Sequence, residues 1–161
     1  MELIDYSKSL NVVSLKFNFN DPPFDAIEFS HNITRYMYDK NAITISAPQV
    51  GEFYNIIAMR GSPENFVCFN PRIVMLSDEQ IVLEESSVSY PGLIVKIKRP
   101  RHIKVRFSTP NGEVRTETFT GMTARIFQHS MDFLNGEEFY RKANLYHRSL
   151  ALSKFVKQKK K

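Results

Sequence analysis

The order of elements along the chain predicts an α+β fold, with antiparallel β-sheets around a central helix and further helices near the N- and C-terminal ends. Three observations carry this. An amphipathic helical stretch precedes a long run of short β-rich segments. Turn signals, the strongest at Pro110-Asn111-Gly112, punctuate that run at hairpin spacing. A second helical stretch then follows from Thr120 to Gly136, with more helical pattern beyond it.

Each element has its own reason. Asn20-Asp21-Pro22-Pro23 supplies a capping side chain and then prolines, which cost nothing in a first helical turn. Ile27, Ile33 and Met37 follow at roughly helical spacing, so a helix is predicted over 23–39. The segment from Asn41 to Gly51 reads as a short β-rich piece ending in Pro48 and Gly51. Strands are predicted at 54–59 and 66–69, with Asn70-Pro71 breaking the second. More are predicted at 72–76, 80–88, 93–98 and 102–108, with 113–119 pairing back across the turn. The helix over 120–136 is capped by Thr120 or Gly121 and stopped by Gly136. Leu145, Leu150, Leu152, Phe155 and Val156 describe a third, loosely amphipathic helix that dissolves into lysines.

A chain of 161 residues, 42% hydrophobic and 24% charged, fits one soluble domain. It is divided here into a body over 1–143 and a basic helix or tail over 144–161. No stretch approaches the roughly 20 apolar residues of a membrane span. The first ten residues lack a signal peptide's layout. Cys68 is the single cysteine, so no internal disulfide forms and no multi-thiolate zinc site exists. The expected location is cytoplasmic, or within a particle assembled inside the cell.

The net charge of +5 is unevenly spread. Eight of the 22 basic residues follow Glu138, the last acid, and the remaining 14 face 17 acids, so the body carries −3. A tail bearing Lys154, Lys157, Lys159, Lys160 and Lys161 can engage nucleic acid or an acidic partner, or can simply be a solvated end. A second cluster puts six basic residues between Lys96 and Arg106, but they alternate with Ile97, Ile103 and Val105, as on the solvent face of a half-buried strand.

Three segments carry a family likeness. Ala42-Ile43-Thr44-Ile45-Ser46-Ala47-Pro48-Gln49-Val50-Gly51, then Glu85-Ser86-Ser87-Val88-Ser89-Tyr90-Pro91-Gly92, then Gln128-His129-Ser130-Met131-Asp132-Phe133-Leu134-Asn135-Gly136 resemble, in order, the peptide deformylase signatures GxGLAAPQVG, EGCLSxPG and QHExDHLxG. Cys68-Phe69-Asn70-Pro71 stands where the family has a hydrophobic-Asn-Pro element, and the likeness runs from about residue 15 to 140. It implies the deformylase fold. It also implies a chemistry: hydrolysis of the N-formyl group of nascent proteins by a divalent ion such as iron, zinc or nickel. In the family a cysteine and two histidines hold the ion, a glutamate moves the proton, and a glutamine with a backbone N–H steadies the oxyanion.

Carried over by position, that chemistry is depleted. The ligand cysteine is Ser87, whose hydroxyl stays protonated near neutrality and ligates poorly. The first ligand histidine is His129, the second is Phe133, and the acid–base glutamate is Ser130. Gln49, the Val88 N–H and Glu85 remain as oxyanion and groove elements. Ala42 and Thr44 replace glycines and Ser46 replaces alanine, which implies an altered or narrower groove. Met122, Ile126, His129 and Phe133 form one helical stripe, so Phe133 is expected to fill the ion's volume and His129 to be a buried histidine with a hydrogen-bond partner. Cys68 is expected in the core and His102 at the surface.

The expectation is therefore a catalytically inactive deformylase-like protein, a pseudoenzyme with no metal cofactor, acting as a binding module or structural subunit of a larger assembly such as a virion or ribosome-like complex. Its groove would involve Ile45, Gln49, Glu85, Val88 and His129, and its partner would be a protein, with nucleic acid reached through the tail and no membrane. One alternative is a divergent but active deformylase. A second is nucleic-acid or ribosome binding driven by the tail.

Overall fold

The computed structural model describes residues 1–5, 8 and 10–161. Its described elements run α1 (Ala26–Asp39), β1 (Thr44–Ser46), β2 (Ile56–Met59), β3 (Phe66–Leu76), β4 (Gln80–Ser87), β5 (Tyr90–Pro100), β6 (His102–Ser108), β7 (Val114–Thr120), α2 (Gly121–Leu134) and α3 (Leu145–Lys159). Short 3₁₀ turns cover Ala47–Val50 and Phe139–Lys142. All strand pairs are antiparallel, in a five-stranded sheet ordered β1-β2-β3-β6-β7 and a two-stranded sheet of β4 and β5. This is the α+β arrangement the sequence predicts.

Helix α2 lies between the sheets. Ala124, Ile126, Phe127 and Leu134 pack on Ile57, Met59, Cys68, Ile103, Val105, Phe107 and Phe119 of the larger sheet. Phe133 joins Tyr90, Leu93, Val95, Ile97 and Phe139, and Ala151 and Phe155 of α3 complete that cluster. The opposite face of the larger sheet is covered by Phe29, Ile33 and Met37 of α1 with Phe17 and Phe69. Strand β2 shows why its sequence lacks alternation: Ile56 and Ala58 face α1 while Ile57 and Met59 face α2, so both faces are buried.

Several boundaries differ from expectation for local reasons. Helix α1 starts at Ala26, because Asp25 is the residue whose carboxylate accepts from Glu28 N at 2.8 Å. Ile27 accordingly falls off the buried stripe. Asn70-Pro71 does not end β3. Asn70 adopts φ 50°, accepts from Phe17 N at 2.8 Å and donates to Phe17 O at 2.9 Å, and the ladder resumes after a register shift. Tyr90-Pro91-Gly92 begins β5, the tight reversal lying between the paired Ser87 and Tyr90. Met122, expected on the inner stripe of α2, is exposed. Gly136 closes that helix at φ 67°, where a Cβ would come within 2.8 Å of the Val12 backbone.

The C-terminal segment is helical to Lys159, held by Ala151 and Phe155, and its lysines are exposed. Along β5 and β6 the basic residues do face solvent, with one exception, Arg99, which is 6% exposed. No helix among the described residues is long and apolar enough to cross a membrane.

Candidate functional site

The three motif segments converge where the first turn of β1, the end of β4 and the middle of α2 meet. A cavity of about 240 Å³ there is lined by Asn41, Ile43 and Thr44 on one side, Ser87 and Val88 on the other, and His129. β1 is the edge of its sheet, so the cavity has free strand backbone along one wall.

Glu85 organises the floor. Residues 81, 83 and 85 of β4 and 93, 95, 97 and 99 of β5 share an inward parity, which carries Glu85 and Arg99 beneath the cavity. The Glu85 carboxylate accepts from Arg99 Nε at 2.6 Å and Nη2 at 2.9 Å, from Arg125 Nη1 at 2.7 Å and from His129 Nδ1 at 2.8 Å. Arg99 Nη2 also donates to Asp132 at 2.7 Å, and Arg125 donates to the carbonyls of Ile97 and Ile81. Burial opposes ionisation of Glu85, but the hydrogen bonds from His129 and Arg99 and the charge of Arg99 outweigh it, holding the carboxyl at about 2. For Asp132 burial wins over its single arginine contact, and its carboxyl is raised.

An ionised Glu85 is acceptor-only, so His129 Nδ1 carries the proton toward it. The same histidine lines the cavity. One face of the His129 ring rests against Phe139, centroids 4.7 Å apart, and the other ring partner is Phe133 at 5.5 Å. Phe133 is 1% exposed and belongs to the apolar cluster.

Gln49 comes from the 3₁₀ turn after β1. Its carbonyl oxygen accepts from Ser46 N at 2.9 Å, which fixes the amide so that Nε2 donates to Ser87 Oγ at 3.2 Å and Ser89 Oγ at 3.0 Å. Ser87 Oγ also accepts from Ser89 N at 3.2 Å. Ser130 has turned away from this chemistry. It is fully buried and 2.7 Å from Thr44 Oγ1, which donates to Ala58 O. Ser46 Oγ donates to Ser130 O. Thr44 and Ser130, which replace a glycine and the acid–base glutamate of the resembled signatures, are thus one hydrogen-bonded pair.

The structure brings Ser87, Val88 and His129 to the cavity wall, with Gln49 and Glu85 directly behind it. Ile45, expected in the groove, is instead fully buried in the α1-side core, because in the short β1 its parity points away from the cleft. Cys68 is buried in the larger sheet, where burial pushes its thiol up, and His102 pairs with Glu79 and Thr120 at the surface. Neither lines the cavity. Arg99, Arg125 and Asp132 escaped notice in the sequence. The strand parity of Arg99 and the spacing of 125, 129 and 132 along one helical face were the available signals.

The family the signatures point to uses a metal ion, but the donor set here does not fit one. Ser87 offers a hydroxyl held by two N–H donors, Phe133 offers no donor, and His129 remains alone. Among the described residues no group of three His, Cys, Asp or Glu is placed to share an ion.

The profile of the polypeptide deformylase family matches residues 6–149. A peptide deformylase of Wolbachia pipientis is 32% identical over 146 residues, covering 83% of this chain and 82% of the relative. The solved Arabidopsis thaliana peptide deformylase 1B with an inhibitor superposes at TM-score 0.89 with 25% identity, covering 99% and 91% of the two chains. A Plasmodium falciparum peptide deformylase gives 0.87 and 26%, over 97% and 94%. These relatives are named as enzymes, which overturns the expectation of an inactive binding or structural subunit and the label of pseudoenzyme. The alternative of a divergent, active deformylase is the one they support. The expectation of no cofactor is corrected with it, since the matched family employs a metal ion.

Proposed function

The chain belongs to the peptide deformylase family, and from that premise we propose that it hydrolyses the N-formyl amide of peptide termini as a divergent deformylase. The observation that supports this most directly is the joining of all three motif segments at one cavity, with Gln49 bonded to Ser87 and Glu85 bonded to His129.

The chain's own residues account for binding and polarisation. An extended peptide can add to the free edge of β1 beside Ile43 and Thr44, giving main-chain hydrogen bonds with little demand on sequence. The formyl group then lies between Ser87 and His129. The Gln49 amide, held in one orientation by Ser46 N, spends its two N–H bonds on Ser87 and Ser89 and so fixes the serine beside it. The buried Glu85–Arg99–Arg125 network fixes the His129 ring so that it cannot swing away.

The test is formate release from a formyl-Met peptide by untagged protein, measured beside Gln49→Ala. The expected result is turnover that drops at least tenfold in the variant. Formate release no faster than with Gln49→Ala refutes the reading.

A further inference from the structure

Resting on the deformylase reading for its substrate, but on its own geometry for its chemistry, we infer that Ser87 is a nucleophile served by His129 as base and Glu85 as the group that orients it. A serine hydroxyl, an imidazole and a buried carboxylate on the imidazole's Nδ1 are the parts of a metal-free acyl-transfer site. All three come from the motif segments, and the serine and histidine line one cavity.

The hydrogen-bond pattern favours this assignment over an idle serine. Ser87 Oγ accepts two N–H groups, from Gln49 Nε2 and Ser89 N, so its own hydrogen is the one it has left to donate. Those same donors support negative charge on that oxygen as the proton leaves. His129 Nδ1 is committed to Glu85 at 2.8 Å, which leaves Nε2 as the ring nitrogen that takes the proton. Ser87 and His129 are not hydrogen-bonded to each other here, as is common before a substrate is seated. Phe133 and Phe139 pack against the ring of His129.

The reaction balances with water alone. Ser87 Oγ bonds to the formyl carbon while His129 Nε2 takes the hydroxyl proton, and the carbonyl pair moves onto oxygen. The C–N bond then breaks, His129 returns the proton to nitrogen, and the free amino terminus departs, leaving a formyl ester on Ser87. Water, deprotonated by His129, attacks that ester, releases formate and restores the serine.

The deciding experiment uses the full chain and a fluorophosphonate probe, which phosphonylates activated serines with loss of fluoride. Stoichiometric adduct mapped to Ser87 by peptide mass, lost at least tenfold in His129→Gln and unaffected by a strong chelator, is the expected result. Folding of each variant is checked by circular dichroism. Absence of an adduct at Ser87 in the folded wild-type chain, or labelling undiminished in a folded His129→Gln variant, overturns the proposal. Formyl-peptide hydrolysis is scored in parallel to separate the two readings. Hydrolysis abolished by the chelator but retained in Ser87→Ala overturns the serine and leaves the deformylase reading intact. Labelling of Ser87 without formate release upholds the nucleophile and removes the formyl substrate.

Discussion

Replacing Glu85 by glutamine probes the element on which the rest of the site leans. The change keeps shape and removes one negative charge from a buried set, leaving Arg99 with Asp132 and Arg125 with backbone carbonyls. Two routes give its cost. The carboxyl titrates at about 2 in the folded chain against an ordinary 4.5. That difference corresponds to roughly 3 kcal/mol of stability at neutral pH. Independently, breaking one partner out of a buried ion pair costs about 3–5 kcal/mol. The sign is fixed: the folded carboxyl is the stronger acid, so its contribution is complete above the unfolded value and is lost as pH falls through the folded one. Urea denaturation of wild type and Glu85→Gln should therefore differ by about 3 kcal/mol near pH 7 and by only about 1 kcal/mol near pH 3. A difference under about 1 kcal/mol at neutral pH, or one that does not shrink in acid, would refute the claim that this carboxylate is ionised and held by its donors.

Two further substitutions test neighbouring claims. Ser130→Glu buries a carboxyl at a fully enclosed position against Thr44, so it should lower the thermal midpoint sharply, and adding Thr44→Gly should recover part of the loss; a tolerated Ser130→Glu on its own would show that the pair is not tightly packed. Phe133→Ala removes a ring that is 1% exposed and contacts His129 and Phe139, so denaturation should show a loss of about 3–5 kcal/mol, and a loss near zero would mean that this flank of the site is not packed core.

The strands and helices were largely legible because patterning and punctuation act locally. Where the reading slipped, a longer-range contact was the cause. Asn70-Pro71 carries every sign of a strand break, yet β3 continues because the Asn70 side chain exchanges two hydrogen bonds with Phe17, 53 residues away. Ile45 looks like a groove residue by position in its motif, but a three-residue strand buried on both faces sends it to the core. Taken one at a time against the family's ligands, Ser87, Phe133 and Ser130 point to inactivity; only the fold sets Ser87 at one cavity with His129 and puts Glu85 on that histidine.

Sequence by itself determined the α+β order, the three motif segments and the identities of the exchanged residues, since these depend on spacing and chemistry along one chain. Tertiary structure alone decided that Arg99 and Arg125 close on Glu85, that Thr44 and Ser130 form one pair, and that Glu85 takes Nδ1 of His129. The physical reason is that each of these is a directional hydrogen bond a few ångströms long between residues at least 14 positions apart, and no local pattern reports whether two such groups will meet.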